Sequence, residues 1–301
     1  MNISMTINNK RRLSAIVRYG LMIILAMIFA LPIVFMIVSS FKPHFQLLQD
    51  SSSLRAFLPV GDLSVNNYFD AFDRAPISLF VFNSVLVTLV TVSLGLLVNS
   101  MMGFALASMR WKGKDIMLMV IIATLILPFE TIAVPLLMVV SRLPWIGAGG
   151  ITQGWLNSYH VQIIPFIVDA FSIFLFVQHF KSQPYELIEA ARIDGAGWLR
   201  IYAQVIVPIS GPVFATAAIL RGLFMWNQYL WPIMVTQSEQ FRPVMVGLGY
   251  FYQLSTSNTT GILPWGEVMA YLSIITIPII VLFLVMQQAF IESIASTGIK
   301  G

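Results

Sequence analysis

Gln183-Pro184-Tyr185-Glu186-Leu187-Ile188-Glu189-Ala190-Ala191-Arg192-Ile193-Asp194-Gly195-Ala196-Gly197 is a charged stretch in an otherwise apolar chain. Pro184 suits the first position of a helix, where its missing N–H costs nothing, and Glu186 then lies near the positive end of the helix dipole. Leu187, Ala190, Ala191 and Asp194 recur at helical spacing along one face. Asp194-Gly195 is a stop signal. The stretch therefore reads as a helix of about three turns, lying outside hydrocarbon. Its paired alanines let another surface approach closely. A short interfacial helix that only shields its own bundle would carry the same pattern.

The rest of the chain places this helix at a membrane. Of 301 residues, 58% are hydrophobic and 10% charged, where an ordinary globular domain has about 25% charged. The mean hydropathy is +0.84. So few charges cannot build a wettable surface, which excludes a soluble enzyme, a disordered chain and a nucleic-acid binder. The net charge of +4 comes from 17 Lys and Arg against 13 Asp and Glu. In a membrane protein that excess speaks to orientation. No cysteine is present, so there is no disulfide framework and no thiolate metal site.

A membrane helix needs about 20 mostly apolar residues. Gly20–Phe41, Leu79–Met109, Ile116–Val140, His160–Phe180, Ile209–Pro232 and Val268–Ile291 meet that length, giving six spans with both ends on one side. Gly20–Phe41 follows Lys10, Arg11, Arg12 and Arg18 but is too long for a signal-peptide core, so it reads as a retained anchor. Pro208, Gly211 and Pro212 would break a helix and suit an entry elbow to the fifth span. With the N-terminus inside, eleven of the Lys and Arg residues fall on inner segments, five on outer segments, and Arg221 within the membrane. That bias predicts an N-in, C-in topology. Two outer loops are long, Lys42–Ile77 and Thr236–Gly266, and Lys181–Val207 is the longest inner connection.

At this point a resemblance becomes specific. Glu189-Ala190-Ala191, Asp194-Gly195-Ala196 and Ile206-Val207-Pro208 resemble the EAA loop of permease subunits of binding-protein-dependent ABC importers. Asn83-Ser84 at the start of span two, Pro128-Phe129-Glu130 with Pro135, Trp226-Asn227-Gln228-Tyr229-Leu230-Trp231-Pro232, and the tail Thr297-Gly298-Ile299-Lys300-Gly301 are similar to the MalG-like branch, which imports sugars and related polyols. The likeness runs from about Phe35 to Gly301. Gln228 replaces a usual Glu, Ser293 a usual Gly, and Arg221 a usual apolar or aromatic residue.

The resemblance implies the all-α type I importer permease fold: an N-terminal tail, first helix and outer loop (1–78), a five-helix transmembrane core (79–292) with a coupling helix at 184–197, and a cytoplasmic tail (293–301). It implies that Glu186, Glu189, Ala190, Ala191, Asp194, Gly195 and Pro208 couple the chain to an ATPase. Its implied partners are a second, MalF-like permease, two ATP-binding subunits, an extracytoplasmic binding protein, and a sugar or polyol, in a bacterial inner membrane. ATP and Mg would be used by the partner. A solute such as glycerol phosphate or a peptide is the nearer alternative, and a secondary transporter, usually with repeats and more spans, the remoter one.

The chain has no G-x-x-x-x-G-K-[ST], H-E-x-x-H or G-x-S-x-G, so it has none of the usual nucleotide, zinc-protease or serine-nucleophile elements. His44, His160 and His179 are dispersed and read as interfacial residues. Glu130, Asp169 and Arg221 are ionisable residues inside spans. Such residues are costly and face a bundle interior, a partner or a watery path. They are candidates for the substrate path; equally, Arg221 paired with an acid would only fasten the fold. Trp226, Asn227, Gln228, Tyr229 and Asn83 are further path candidates, since sugars take amide hydrogen bonds and aromatic stacking. Trp and Tyr near a span end also build interfacial belts. Gly95, Gly103 and Gly222 are candidate points of close helix approach.

Overall fold

The computed structural model describes residues 2–147, 150–252 and 263–298. The middle of the outer loop (253–262) and the tail pattern from Ile299 onward lie outside these, as does the side chain of Ser293. The chain divides into two compact units. One holds 1–75 with 250–276, the other 76–249 with 277–301.

In the first unit, α1 (Asn2–Ser40), α2 (His44–Asp50) and α3 (Asn66–Arg74) are followed in the chain by the second unit. The segment Ser14–Ser40 is strongly apolar, and no residue of its 18-residue apolar window is buried, as a lipid-facing anchor requires. The loop that follows is ordered by its own polar groups. The Asn67 amide donates to the carbonyls of Ser40 (2.8 Å) and Lys42 (2.9 Å), satisfying orphan acceptors at the end of α1. The buried Lys42 ammonium donates to Asp50 (2.9 Å) and to the Arg55 carbonyl (2.6 Å). This contact holds the Asp50 carboxyl below the usual range. Arg74 pairs with Glu267.

In the second unit, α4 (Ile77–Ser108) is central and packs along α8 and α12. The elements are α5 (Lys114–Thr124), α6 (Phe129–Val140), β1 (Pro144–Gly147), β2 (Gly150–Gln153), α7 (Tyr159–Ile163), α8 (Ala170–Lys181), α9 (Glu186–Ile193), α10 (Trp198–Ile201), α11 (Val207–Ile209), α12 (Gly211–Trp226), α13 (Leu230–Val235) and α14 (Val244–Gly247). The last helix, Trp265–Gly298, begins in the first unit and continues into the second. Small residues let α4 and its neighbours close up. A Cβ on Gly103 would meet the Phe176 Cβ at 2.5 Å, and one on Gly95 would meet the Ile167 carbonyl at 3.1 Å. Buried Asn99 spans the same seam, donating to the Ile167 carbonyl (3.0 Å) and accepting from the Asp169 N–H (3.1 Å).

Among the described residues, four helical segments are long and apolar enough to cross a membrane: Ser14–Ser40, Ile77–Ser108, Tyr159–Lys181 and Trp265–Val285. The third and fifth sequence spans are not straight. Lys114–Thr124 and Phe129–Val140 meet at 103°, and Trp198–Ile209 and Gly211–Trp226 at 82°. Pro128, whose ring fixes φ at about −65° and which has no N–H to continue a helix, takes extended geometry just before α6 (φ −66, ψ 139). Gly211-Pro212 opens α12 just after buried Ser210, whose hydroxyl donates to the Ile206 carbonyl. The elbow expected at Pro208–Pro212 is therefore present. The fifth span, read to Pro232, instead ends its helix at Trp226 and restarts as α13.

One short strand pair stands within the otherwise helical architecture. β1 and β2 pair antiparallel, with Trp145 opposite Thr152. Gly147 pairs with Gly150, which takes φ +102, a backbone that glycine adopts without strain. His160 stacks on Trp145 (3.9 Å, 7°) and meets Trp155 edge-on.

Candidate functional site

The stretch 183–197 folds as its local chemistry dictates, though over fewer turns than its length suggested. Pro184 and Tyr185 form the entry turn, and the helix runs only from Glu186 to Ile193. Glu186 and Glu189 lie in its first turn and Arg192 in its last, matching the dipole. The Ala196 N–H bonds the Ala191 carbonyl (2.9 Å) and the Gly195 N–H bonds the Arg192 carbonyl (3.0 Å). That pair of bonds is a Schellman cap. It sets Gly195 at φ +79, although a Cβ there would meet nothing within 4 Å. The constraint is conformational and not steric.

One face of α9 is bolted to the bundle. Ile188 is buried with Phe104 of α4, Phe176 and Phe180 of α8, and Tyr202, Ile206 and Val213 from the elbow; Tyr185, Ala191, Ala196 and Trp198 pack around them. The Tyr202 hydroxyl shares a 2.7 Å hydrogen bond with buried Ser100 of α4. The single face read from the sequence is thus split. Ala191 turns toward the core, while Leu187, Ala190 and Asp194 stay exposed and Ile193 is 86% exposed. Glu189 is exposed as well, and it has no ion pair among the described residues. Pro208 lies apart from α9, exposed at the elbow.

The intramembrane charges are arranged differently. Asp169 does not interrupt a helix but caps α8, accepting from the Ser172 N–H (2.8 Å) and hydroxyl (2.6 Å). Arg221, 9% exposed, stands 3.6 Å from Asp169, donates to the Phe166 carbonyl and lies over the Phe224 ring at 4.9 Å. Of the two readings open for Arg221, the fastening one describes this geometry. Glu130 is exposed in the first turn of α6, with no partner among the described residues.

Asn83 is fully buried. It donates to the carbonyls of Gln240 and Arg242 (both 2.9 Å) and accepts from the Tyr159 hydroxyl (2.7 Å). Ser84 accepts from the Val244 N–H (2.9 Å), and Gln162 donates to the Phe241 carbonyl (2.9 Å). Together these side chains clasp the segment 240–244. The Asn83 amide has no donor left for a solute in this conformation. Trp226 is buried, Asn227 is exposed and caps α12 through the Leu223 carbonyl (2.8 Å), and Tyr229 is half-exposed. Gln228 lines a void of about 10 Å³ with Thr88, Gln162 and Trp231, room for one water at most. No group of three or more His, Cys, Asp or Glu among the described residues is placed to hold a metal.

Sequence reasoning passed over Asn99, Tyr159, Gln162, Arg110 and Trp198. Asn99 and Gln162 carried a usable signal, since an amide inside an apolar stretch needs a partner; Tyr159 carried none.

Residues 95–296 match the family of binding-protein-dependent transport system inner membrane components. The chain belongs to this family. It is a membrane permease component and not an enzyme; ATP hydrolysis falls to a partner. It is 33% identical over 97% of its length, and 100% of the relative's, to the arabinooligosaccharides transport system permease protein AraQ of Halalkalibacterium halodurans. It is 28% identical to the lactose transport system permease protein LacG of Rhizobium radiobacter (94% and 96% covered) and 28% identical to the sn-glycerol-3-phosphate transport system permease protein UgpE of Brucella abortus (96% and 98%). A crystal structure of a bacterial ABC transporter involved in alginate import contains a chain of the same fold, with TM-score 0.75 at 23% identity, covering 93% of this chain and 98% of that one.

Proposed function

We propose that this chain is one of two permease subunits of an ATP-driven importer for a sugar or oligosaccharide. Each bent pair counts as one span, giving six, with both ends in the cytoplasm, and α9 is the coupling helix that docks an ATPase. The observation that carries the reading is α9 itself, a capped helix fixed to α4, α8 and the elbow by one face and exposed by the other. A rigidly attached helix transmits a push. ATP then works by stabilising one state of the complex over the other, which is all a ligand can do to such an equilibrium. The basic bias of the inner segments supports the orientation. The names of the arabinooligosaccharide and lactose relatives support the solute class. A second reading, a glycerol-phosphate importer, is favoured by the UgpE relatives alone.

Gly195→Val tests the coupling. Its left-handed position costs a β-branched residue about 1–2 kcal/mol locally, without a clash. Transport and ATPase association fall while the two permeases still assemble. Wild-type uptake together with wild-type association would remove α9 from the mechanism. Solute-stimulated ATP hydrolysis by the reconstituted complex with its binding protein, across arabino-oligosaccharides, lactose and glycerol phosphate, decides between the two solutes.

A further inference from the structure

Beside α9 the surface opens into a groove of about 490 Å³ lined by Arg110, Tyr185, Glu189, Arg192, Ile193 and Trp198. Three chain segments build it: the link after α4, α9, and the start of α10. Its two guanidinium groups each lie over an aromatic ring. Arg110 lies over the Tyr185 ring at 5.7 Å and Arg192 over the Trp198 ring at 4.9 Å. Both rings pack on the buried cluster around Phe104, and Trp198 meets Phe104 edge-on at 6.2 Å. The core thus fixes where the two cations sit.

A guanidinium on an aromatic face keeps its edge free, and that edge carries N–H donors in a planar fork that matches a carboxylate. Neither arginine forms an ion pair with an acidic residue of the described chain; Glu189, although it lines the same groove, is not within salt-bridge distance of either. Two cations and one anion therefore share a groove with no internal pairing, flanked by the exposed apolar side chain of Ile193. Charges left in this way, on a rigid support and next to apolar surface, are complementary to a partner and not to this chain.

We propose that Arg110 and Arg192 form a fork that accepts a side-chain carboxylate from the ATPase subunit. This fork sits beside the contact made by Glu189 and fixes the register in which the ATPase seats on α9. The inference rests on the coupling role given to α9 above.

The test measures association of the separately purified ATPase subunit with the reconstituted permease pair, at several ionic strengths. R110Q and R192Q each weaken association about tenfold or more and flatten its salt dependence, because a charge pair closed off by an interface contributes at least that much. R192K, which keeps the charge and loses the fork, falls between. R200Q is the control: Arg200 is exposed, bonded to Gln204 and outside the groove. Recovery of the permease pair by affinity purification confirms that each variant folds. An R192E variant is expected to be rescued by an acidic-to-Lys change on the ATPase. Wild-type affinity of R110Q and R192Q overturns the fork, as does an equal loss in R200Q, which would mean net charge alone. Unchanged association with a loss of turnover only in vesicles containing anionic lipid would assign the arginines to lipid headgroups and also overturn it. If the wild-type permease pair binds no ATPase at all, the coupling role of α9 fails first, which separates the two readings.

Discussion

Glu189 and Asp169 are both carboxylates, and the fold treats them in opposite ways. Glu189 stands exposed on α9 with no ion pair among the described residues, while Asp169 caps α8, bonds Ser172 twice and faces Arg221 at 3.6 Å. The difference follows from the medium. Beside water an unpaired charge costs little and remains available to a partner. Within a span a polar group left without a partner costs several kcal/mol. Two buried amides are accordingly engaged, Asn83 with Gln240, Arg242 and Tyr159, and Asn99 with Ile167 and Asp169, while the Thr88 and Thr91 hydroxyls and the Trp226 indole N–H are buried with no hydrogen-bond partner among the described residues. Glu130 is the ionisable residue of the spans that breaks this pattern, and it lies exposed at the start of a bent helix.

The strongest way to break the comparison is at Arg221. Arg221→Met leaves Asp169 facing an apolar side chain and strips the Phe166 carbonyl of its donor. Removing one member of a buried pair costs about 3–5 kcal/mol, to be read as a loss of thermal stability of the purified complex. The double change with Asp169→Asn recovers much of it, because no uncompensated charge remains. If Arg221→Met alone is neutral, the pair is not a fastener.

Asn83→Ala comes next. Three hydrogen bonds of a buried side chain vanish and the carbonyls of Gln240 and Arg242 each lose a donor, at about 2–3 kcal/mol. Faster amide exchange in 240–246, with α9 unchanged, is the expected signature. Uniform exchange across both regions would show that the clasp is not local.

The smallest effect lies outside the membrane, at Lys42 and Asp50. The carboxyl of Asp50 is depressed by the Lys42 ammonium. A depressed acid contributes stability that is complete above its unfolded value, near 3.8, and is lost as pH falls through its folded value below that. The complex therefore loses a small increment of stability only on strong acidification. Asp50→Asn is expected to lower stability at neutral pH and to remove that increment of acid sensitivity. A variant whose acid profile matches the wild type would contradict the pairing.

Much of α9 and its flanks was legible because their instructions are local. Pro184, the two early glutamates, Arg192 and Gly195 each act within one or two turns, through φ, the helix dipole and the cap. The breaks at Pro128 and Gly211-Pro212 are local in the same sense, and hydropathy alone placed the chain in a membrane. The hairpin at 144–153 also had a local signal, its paired glycines, which the overwhelming helical composition masked. Which face of α9 is buried was not legible, because the aromatic cluster that receives Ile188 comes from α4, α8 and the elbow. Nor were the partners of Asn83, 157 and 159 residues away, or of Arg221, 55 residues from the carbonyl it holds. A sequence states that a polar group in hydrocarbon must be satisfied. Only the tertiary structure decides by whom, because that depends on which distant backbone groups close helix approach, at glycines such as Gly103, brings within reach.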